Sequence, residues 1–138
     1  MFVPNGDWHL RASDAGADVL SPNGSSDASL GTWYSTTAPW TMQTLADQIL
    51  SGVSGIDVVC NTPVETSATG SSQLVELTGT YQSVRIHAVI ALSILRQTTS
   101  TSIGETRSVY TPVGAWSASA AQTLWLIVKR AIPIPQEP

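Results

Sequence analysis

The chain has 138 residues, enough for one domain that buries roughly two thirds of its unfolded surface without a metal or disulfide staple. Charged residues make up only 12% of it, and 18 Ser and 16 Thr fill the gap. Six scattered basic residues, one of them a lysine, at a net charge of −4 offer no cation cluster to neutralise phosphates, which argues against nucleic acid as a partner.

Taken in chain order, Trp8 to Arg11 and Leu30 to Ser35 read as short strands, with turn signals at Asn5-Gly6 and Pro22-Asn23-Gly24. Met42, Leu45, Ala46, Ile49 and Leu50 then recur at three- and four-residue spacing, opposite Gln43, Thr44, Asp47 and Gln48. That period predicts one short helix near 41–51, N-capped by Thr41 and stopped at Gly52. Its expected role is to plug an open edge of a sheet. Ile56 to Asn61 and Gln73 to Thr80 are further short strands. Val84, Ile86, Ala88, Ile90, Leu92 and Ile94 alternate with Arg85, His87 and Ser93, while Val89, Ala91 and Leu95 interrupt the polar side. Alternation with an apolar second face predicts a long central strand over 82–97, covered on both sides in its middle. The hydroxyl-rich loop 98–104 leads into a strand over Glu105 to Thr111, ended by Pro112 and Gly114, and a last long strand is expected over Gln122 to Ile132.

About seven short strands at this spacing predict an all-β fold, an antiparallel β-sandwich of jelly-roll type with one short helix near 41–51. Residues 1–131 form the single domain. Residues 132–138 follow as an extended proline-rich tail, because Pro133 and Pro135 have no N–H to give to a sheet.

Most chemistry is looked for without success. Serine catalysis needs a base and an orienting group, and the two histidines, His9 and His87, lie near no nucleophile elbow. Gly52-Val53-Ser54-Gly55 is one residue short of that motif and follows a helix, so it reads as a turn. His87 sits in the long strand, where a neighbour on the sheet face can satisfy it. Asp57 and Glu76 are the carboxylates placed on strands, and a pair of them meeting across the sheet is what a glycosidase would need. Asp14, Asp18, Asn23, Ser25 and Asp27 offer oxygens in one loop-like segment but do not fit a calcium-loop pattern. No cofactor or metal is expected, and the chain reads as no enzyme. Cys60 stands alone, which removes intrachain disulfides and thiolate zinc sites. No apolar run reaches membrane-spanning length, and Met1 to Asp7 shows no secretory signal, so synthesis in a cytoplasm is expected.

Five tryptophans remain. Trp33, Tyr34 and Trp40 fall within eight residues and read as interface anchors, with sugar stacking as the alternative. Long apolar strands with almost no lysine leave sticky edges on a monomer. The expected partners are therefore copies of the chain itself, for example in a trimer, and another protein.

The Ser/Thr-rich segment Thr98-Thr99-Ser100-Thr101-Ser102, the single lysine and the tail Ile132-Pro133-Ile134-Pro135 resemble, in composition, small structural proteins of tailed-bacteriophage virions. The similarity is to capsid decoration or cement proteins and fibre-type appendages. It implies a subunit of the virion, made in the host cytoplasm, that acts by oligomeric contacts with a capsid or other virion protein. Trp33, Tyr34, Trp40, Ile132, Pro133, Ile134 and Pro135 are the residues expected to carry those contacts. The alternative is a carbohydrate-binding module or receptor-binding tip using exposed Trp and Tyr.

Overall fold

The computed structural model describes residues 9–13, 16–20, 26–35, 41–67, 70–97, 102–119 and 122, with 9–13, 16–20, 33–35, 66–67 and 95–97 described by backbone alone. Among the described residues eight strands form one antiparallel sheet: β1 (His9–Ser13), β2 (Gly16–Leu20), β3 (Asp27–Ser35), β4 (Val53–Asn61), β5 (Glu65–Ser67), β6 (Gly70–Tyr81), β7 (Val84–Gln97) and β8 (Ser102–Pro112). Helix α1 spans Met42–Ile49. The strand order is β1-β2-β3-β8-β7-β6-β4, and β5 continues the line of β4 along β6. The chain thus builds β1 to β3 as a meander, crosses to the far edge through α1, and returns through β6, β7 and β8 to close against β3.

An all-β antiparallel fold with one short helix is what the alternation and the helical period predict. Among the described residues the strands all belong to one sheet, and α1 lies on its face rather than over an edge. Asp18, expected in a loop, is in β2, and Ser102 to Gly104 already belong to β8. The tight β1–β2 hairpin escapes a pattern reading because Gly16-Ala17-Asp18 carries no alternation. The expected strand over 122–132 and the tail 132–138 lie outside the described residues, apart from Gln122, whose backbone is helical.

The core sits where α1 crosses the middle strands. Ile86, Ala88, Ile90, Leu92 and Ile94 of β7 are all buried on one face and cluster with Leu77 of β6 and Leu45 of α1. These are the apolar positions of period two and 3.6, so the binary pattern decides which face is covered. Fully burying a leucine such as Leu45 is worth about 2–3 kcal/mol. The helix starts where a capping box closes it: Thr44 N–H donates to Thr41 Oγ1 at 3.1 Å and Thr41 N–H donates to Thr44 Oγ1 at 2.8 Å.

The opposite face is buried as well, at its β3–β8 end. Ala28, Leu30, Ile103 and Val109 are buried there, and the register sets Ala28, Val109 and Val89 in one row across three strands. The middle of the long strand is therefore buried on one side and half-buried on the other, at Val89 and Ala91. Hydroxyls account for part of the low charge: Ser29 and Ser108, directly opposite each other on β3 and β8, share a 2.6 Å hydrogen bond, and Ser26 bonds Thr111 at 2.7 Å. Cross-strand hydroxyl pairs of this kind hold neighbouring strands without charge.

Candidate functional site

Strand β4 is the edge of the sheet beside β6, and its sequence makes it irregular. Its pairing with β6 shifts twice, between Ser54 and Asp57 and between Val58 and Cys60. The first bulge is made possible by Gly55, whose φ of +57° a side chain would strain. The bulge then folds over Gly79 of β6: a Cβ built there would lie 2.5 Å from Val53 Cγ1. Arg85, two strands away on β7, reaches across to hold the bulge. Its Nη1 donates to the Gly55 carbonyl at 2.8 Å and its Nη2 to Asp57 Oδ2 at 3.0 Å and Thr78 Oγ1 at 3.2 Å. Beyond Asn61 the edge continues through Thr62, whose N–H donates to the Leu74 carbonyl at 2.9 Å while its Oγ1 accepts from Leu74 N–H at 3.0 Å.

Much of what this edge shows to solvent is apolar, beside the exposed Ser54, Asp57 and Asn61. Val58 is 56% exposed and Val59 55%, with Ile56, Val64 and Leu74 also open, and Cys60 is exposed between them. Scattered exposed apolar residues are ordinary. Here they line one sheet edge, with Asp57 the one charged side chain of the strand and already held by Arg85.

Inward from the edge, the same face carries a polar row whose charged groups engage one another. His87 Nε2 lies 3.0 Å from Glu76 Oε2, the ring N–H donating to the carboxylate in that tautomer. The imidazole also stacks on Trp116, with ring centroids 3.8 Å apart and planes 5° from parallel. Trp116 follows a 3-10 turn at Val113–Ala115, which brings the chain back over this face after β8. Further along, Arg107 Nε is hydrogen-bonded to Glu105 Oε1, two residues away on β8 and buried. Asp57 and Glu76, the carboxylates a glycosidase would have to bring together, go to different bases, Arg85 and His87: register sets Asp57 opposite Thr78, and Glu76 opposite Cys60. Among the described residues no group of three His, Cys, Asp or Glu side chains could hold a metal ion. No described helix is long and apolar enough to cross a membrane, which says nothing of strands.

Of the residues read from the sequence as contact anchors, two are described. Trp33 and Tyr34 lie in β3, paired with Gly104 and Ile103 of β8 and beyond the stretch Asp27–Gly31 that pairs with β2. Trp40, Ile132, Pro133, Ile134 and Pro135 lie outside the described residues, as do Asp14, Asn23 and Ser25. Gly52-Val53-Ser54-Gly55 forms the turn into β4 and its first bulge. The exposed edge itself escaped the sequence reading. Ile56 to Asn61 is legible as a strand, but nothing in it says that only one of its sides has a neighbour.

Known proteins add the fold and little else. No family model matches the chain, and no curated protein matches it. Twelve solved chains match its structure. One is LpqN, involved in cell envelope biogenesis of Mycobacterium tuberculosis, at a TM-score of 0.56 and 11% identity, covering 94% of this chain and 78% of that one. At that identity the likeness is one of fold alone.

Proposed function

We propose that this chain is a non-catalytic assembly subunit, a sheet domain that works through protein–protein contacts along the β4 edge. The observation that carries the reading is the contrast between that edge and the face beside it. Ile56, Val58 and Val59 are open to water, whereas the neighbouring charges are engaged within the chain as Arg85–Asp57 and His87–Glu76. Free charges converging on a cleft would support acid–base chemistry. An apolar edge whose one charged side chain is already paired within the chain supports docking.

The narrower setting is a bacteriophage virion, where the chain would decorate or join the particle as a homo-oligomer against a capsid or appendage protein. The hydroxyl-rich composition and single lysine support it. Many copies on one particle would multiply weak edge contacts through effective concentration. In this reading LpqN shares a scaffold, and its part in cell envelope biogenesis is its own.

Light scattering behind a sizing column tests the proposal. The expected mass is a multiple of the 14.6 kDa chain. A monomer at every concentration would remove self-assembly.

A further inference from the structure

Strand β8 ends at Pro112, which has no N–H to give to the sheet, and the chain then turns back over the face it has just helped to build. Thr111 pairs with His87 in the ladder, and Trp116 then comes to lie on the ring of that same His87. We infer that Val113–Trp116 is a strap that opens and closes on the sheet while the strands stay paired, with the Trp116–His87 stack as its clasp.

The turn itself has little else to hold it. Val113 is 43% exposed, Gly114 and Ala115 are exposed, and no residue of the turn is buried. A Cβ built on Gly114 would meet nothing within 4 Å. Trp116 N–H donates to the Val113 carbonyl at 3.3 Å, which is long for such a bond. Against this, the indole is half-buried and its ring lies 3.8 Å from the imidazole and 5° from parallel. A segment with so little buried apolar surface, fastened by one aromatic contact, belongs to the low-stability end of local opening.

The clasp is set from the sheet side. His87 Nε2 lies 3.0 Å from Glu76 Oε2, so β6 fixes the plane of the imidazole on which the indole lands. Arg85, two residues earlier on β7, is engaged by the Gly55 carbonyl, Asp57 and Thr78, and leaves Glu76 to the imidazole. Pro112 and Trp116, which bound the turn, have φ of −53° and −71° with extended ψ. The strap therefore closes without backbone strain, and the stack sets the balance between closed and open. Opening bares one face of the indole and one of the imidazole together and leaves the Glu76–His87 bond in place.

The experiment uses the full chain at a single pH, with nuclear magnetic resonance for the rings and amide exchange for the backbone. Stacked rings shift each other's carbon-bound protons upfield. The chain has two histidines, so the His87 ring signals are those lost in His87→Phe. They should lie upfield in the natural chain and return to unstacked positions in Trp116→Leu. In His87→Ala the Trp116 amide should exchange at least about fivefold faster, the scale of one aromatic contact, while the amides of β7 and β8 keep their protection. His87→Phe keeps a flat ring and should restore most of the lost protection. Should His87→Ala fail to fold, Trp116→Leu carries the same exchange comparison from the half-buried side of the contact. Unshifted His87 signals in the natural chain would overturn the clasp, as would a residue 116 amide that exchanges no faster once either ring is removed. Equal acceleration throughout Ser102–Pro112 would overturn the strap, because the turn would then move only with the sheet. Each of these failures leaves the reading of the β4 edge as it stands.

Discussion

One glycine and one turn show how single residues hold this sheet. A Cβ built on Gly104 of β8 would lie 2.9 Å from Leu45 Cδ1 and 3.3 Å from Cδ2, so the missing side chain is the notch into which Leu45 fits. Leu45 is fully buried and has nowhere to swing. Gly104→Ala should cost about 1–3 kcal/mol by overpacking, and Leu45→Ala about 2–5 kcal/mol by leaving a cavity. The double variant should cost less than their sum, because the new methyl group occupies part of the space that leucine vacates. Strict additivity in urea unfolding would show that the two do not meet. The β6–β7 hairpin makes a different point. Gln82 and Ser83 have φ of +49° and +66°, the left-handed pair that a two-residue turn of this hand requires. The period-two pattern places 82 and 83 at the start of the long strand, yet they form the turn. Their backbone state costs about 1 kcal/mol or more for a non-glycine residue. Ser83→Gly should therefore raise stability by about 0.5–1 kcal/mol, read as a higher denaturation midpoint at unchanged slope.

At the scale of elements, legibility follows from how local the cause is. Helix α1 and strand β7 were readable because their apolar positions repeat at 3.6 and 2.0, and the partial cover on the second face of β7 was readable from Val89 and Ala91. What was not readable is which strands end up at the edge. That depends on the crossing through α1, a long-range choice with no signature inside β4. The pairing of Arg85 with Gly55 and Asp57 is likewise a contact between residues about thirty apart. It is exposed, with side chains 43% and 81% open, so Arg85→Ala should cost no more than about 1 kcal/mol globally. Its local effect should be larger. Gly79→Ala attacks the same region from beneath, since its methyl group would meet Val53 Cγ1 at 2.5 Å and the Ser54 carbonyl at 3.3 Å. Val53 has to turn its methyl groups away and the Ser54 carbonyl has to give by a few tenths of an ångström, which loosens the start of β4 on β6. Amide exchange over Val53–Asn61 should accelerate in both variants while the amides of β7 keep their protection. Equal acceleration in both strands would mean that β4 is not held separately.

For the whole molecule the decisive quantity is the net charge of −4 set against an edge whose own charge is balanced. A chain of this length has a radius of gyration of about 14 Å, which puts the centres of two associated copies about 30 Å apart. Two charges of −4 at that distance repel by about 2 kcal/mol in unscreened water. At physiological ionic strength the screening length is about 8 Å and this repulsion nearly vanishes, whereas at 0.01 M it is about 30 Å and roughly 0.8 kcal/mol survives. Self-association along an apolar edge should thus tighten with salt, by about fourfold in dissociation constant between those two conditions. An interface held by ion pairs would move the other way. The same comparison made near pH 4.8, where the net charge passes through zero, should show no salt dependence, because the long-range repulsion is then gone while the valine contacts remain. Sedimentation at the two ionic strengths and the two pH values separates these cases. Weakening by salt at neutral pH would assign the contact to charged groups and remove the β4 edge as its seat.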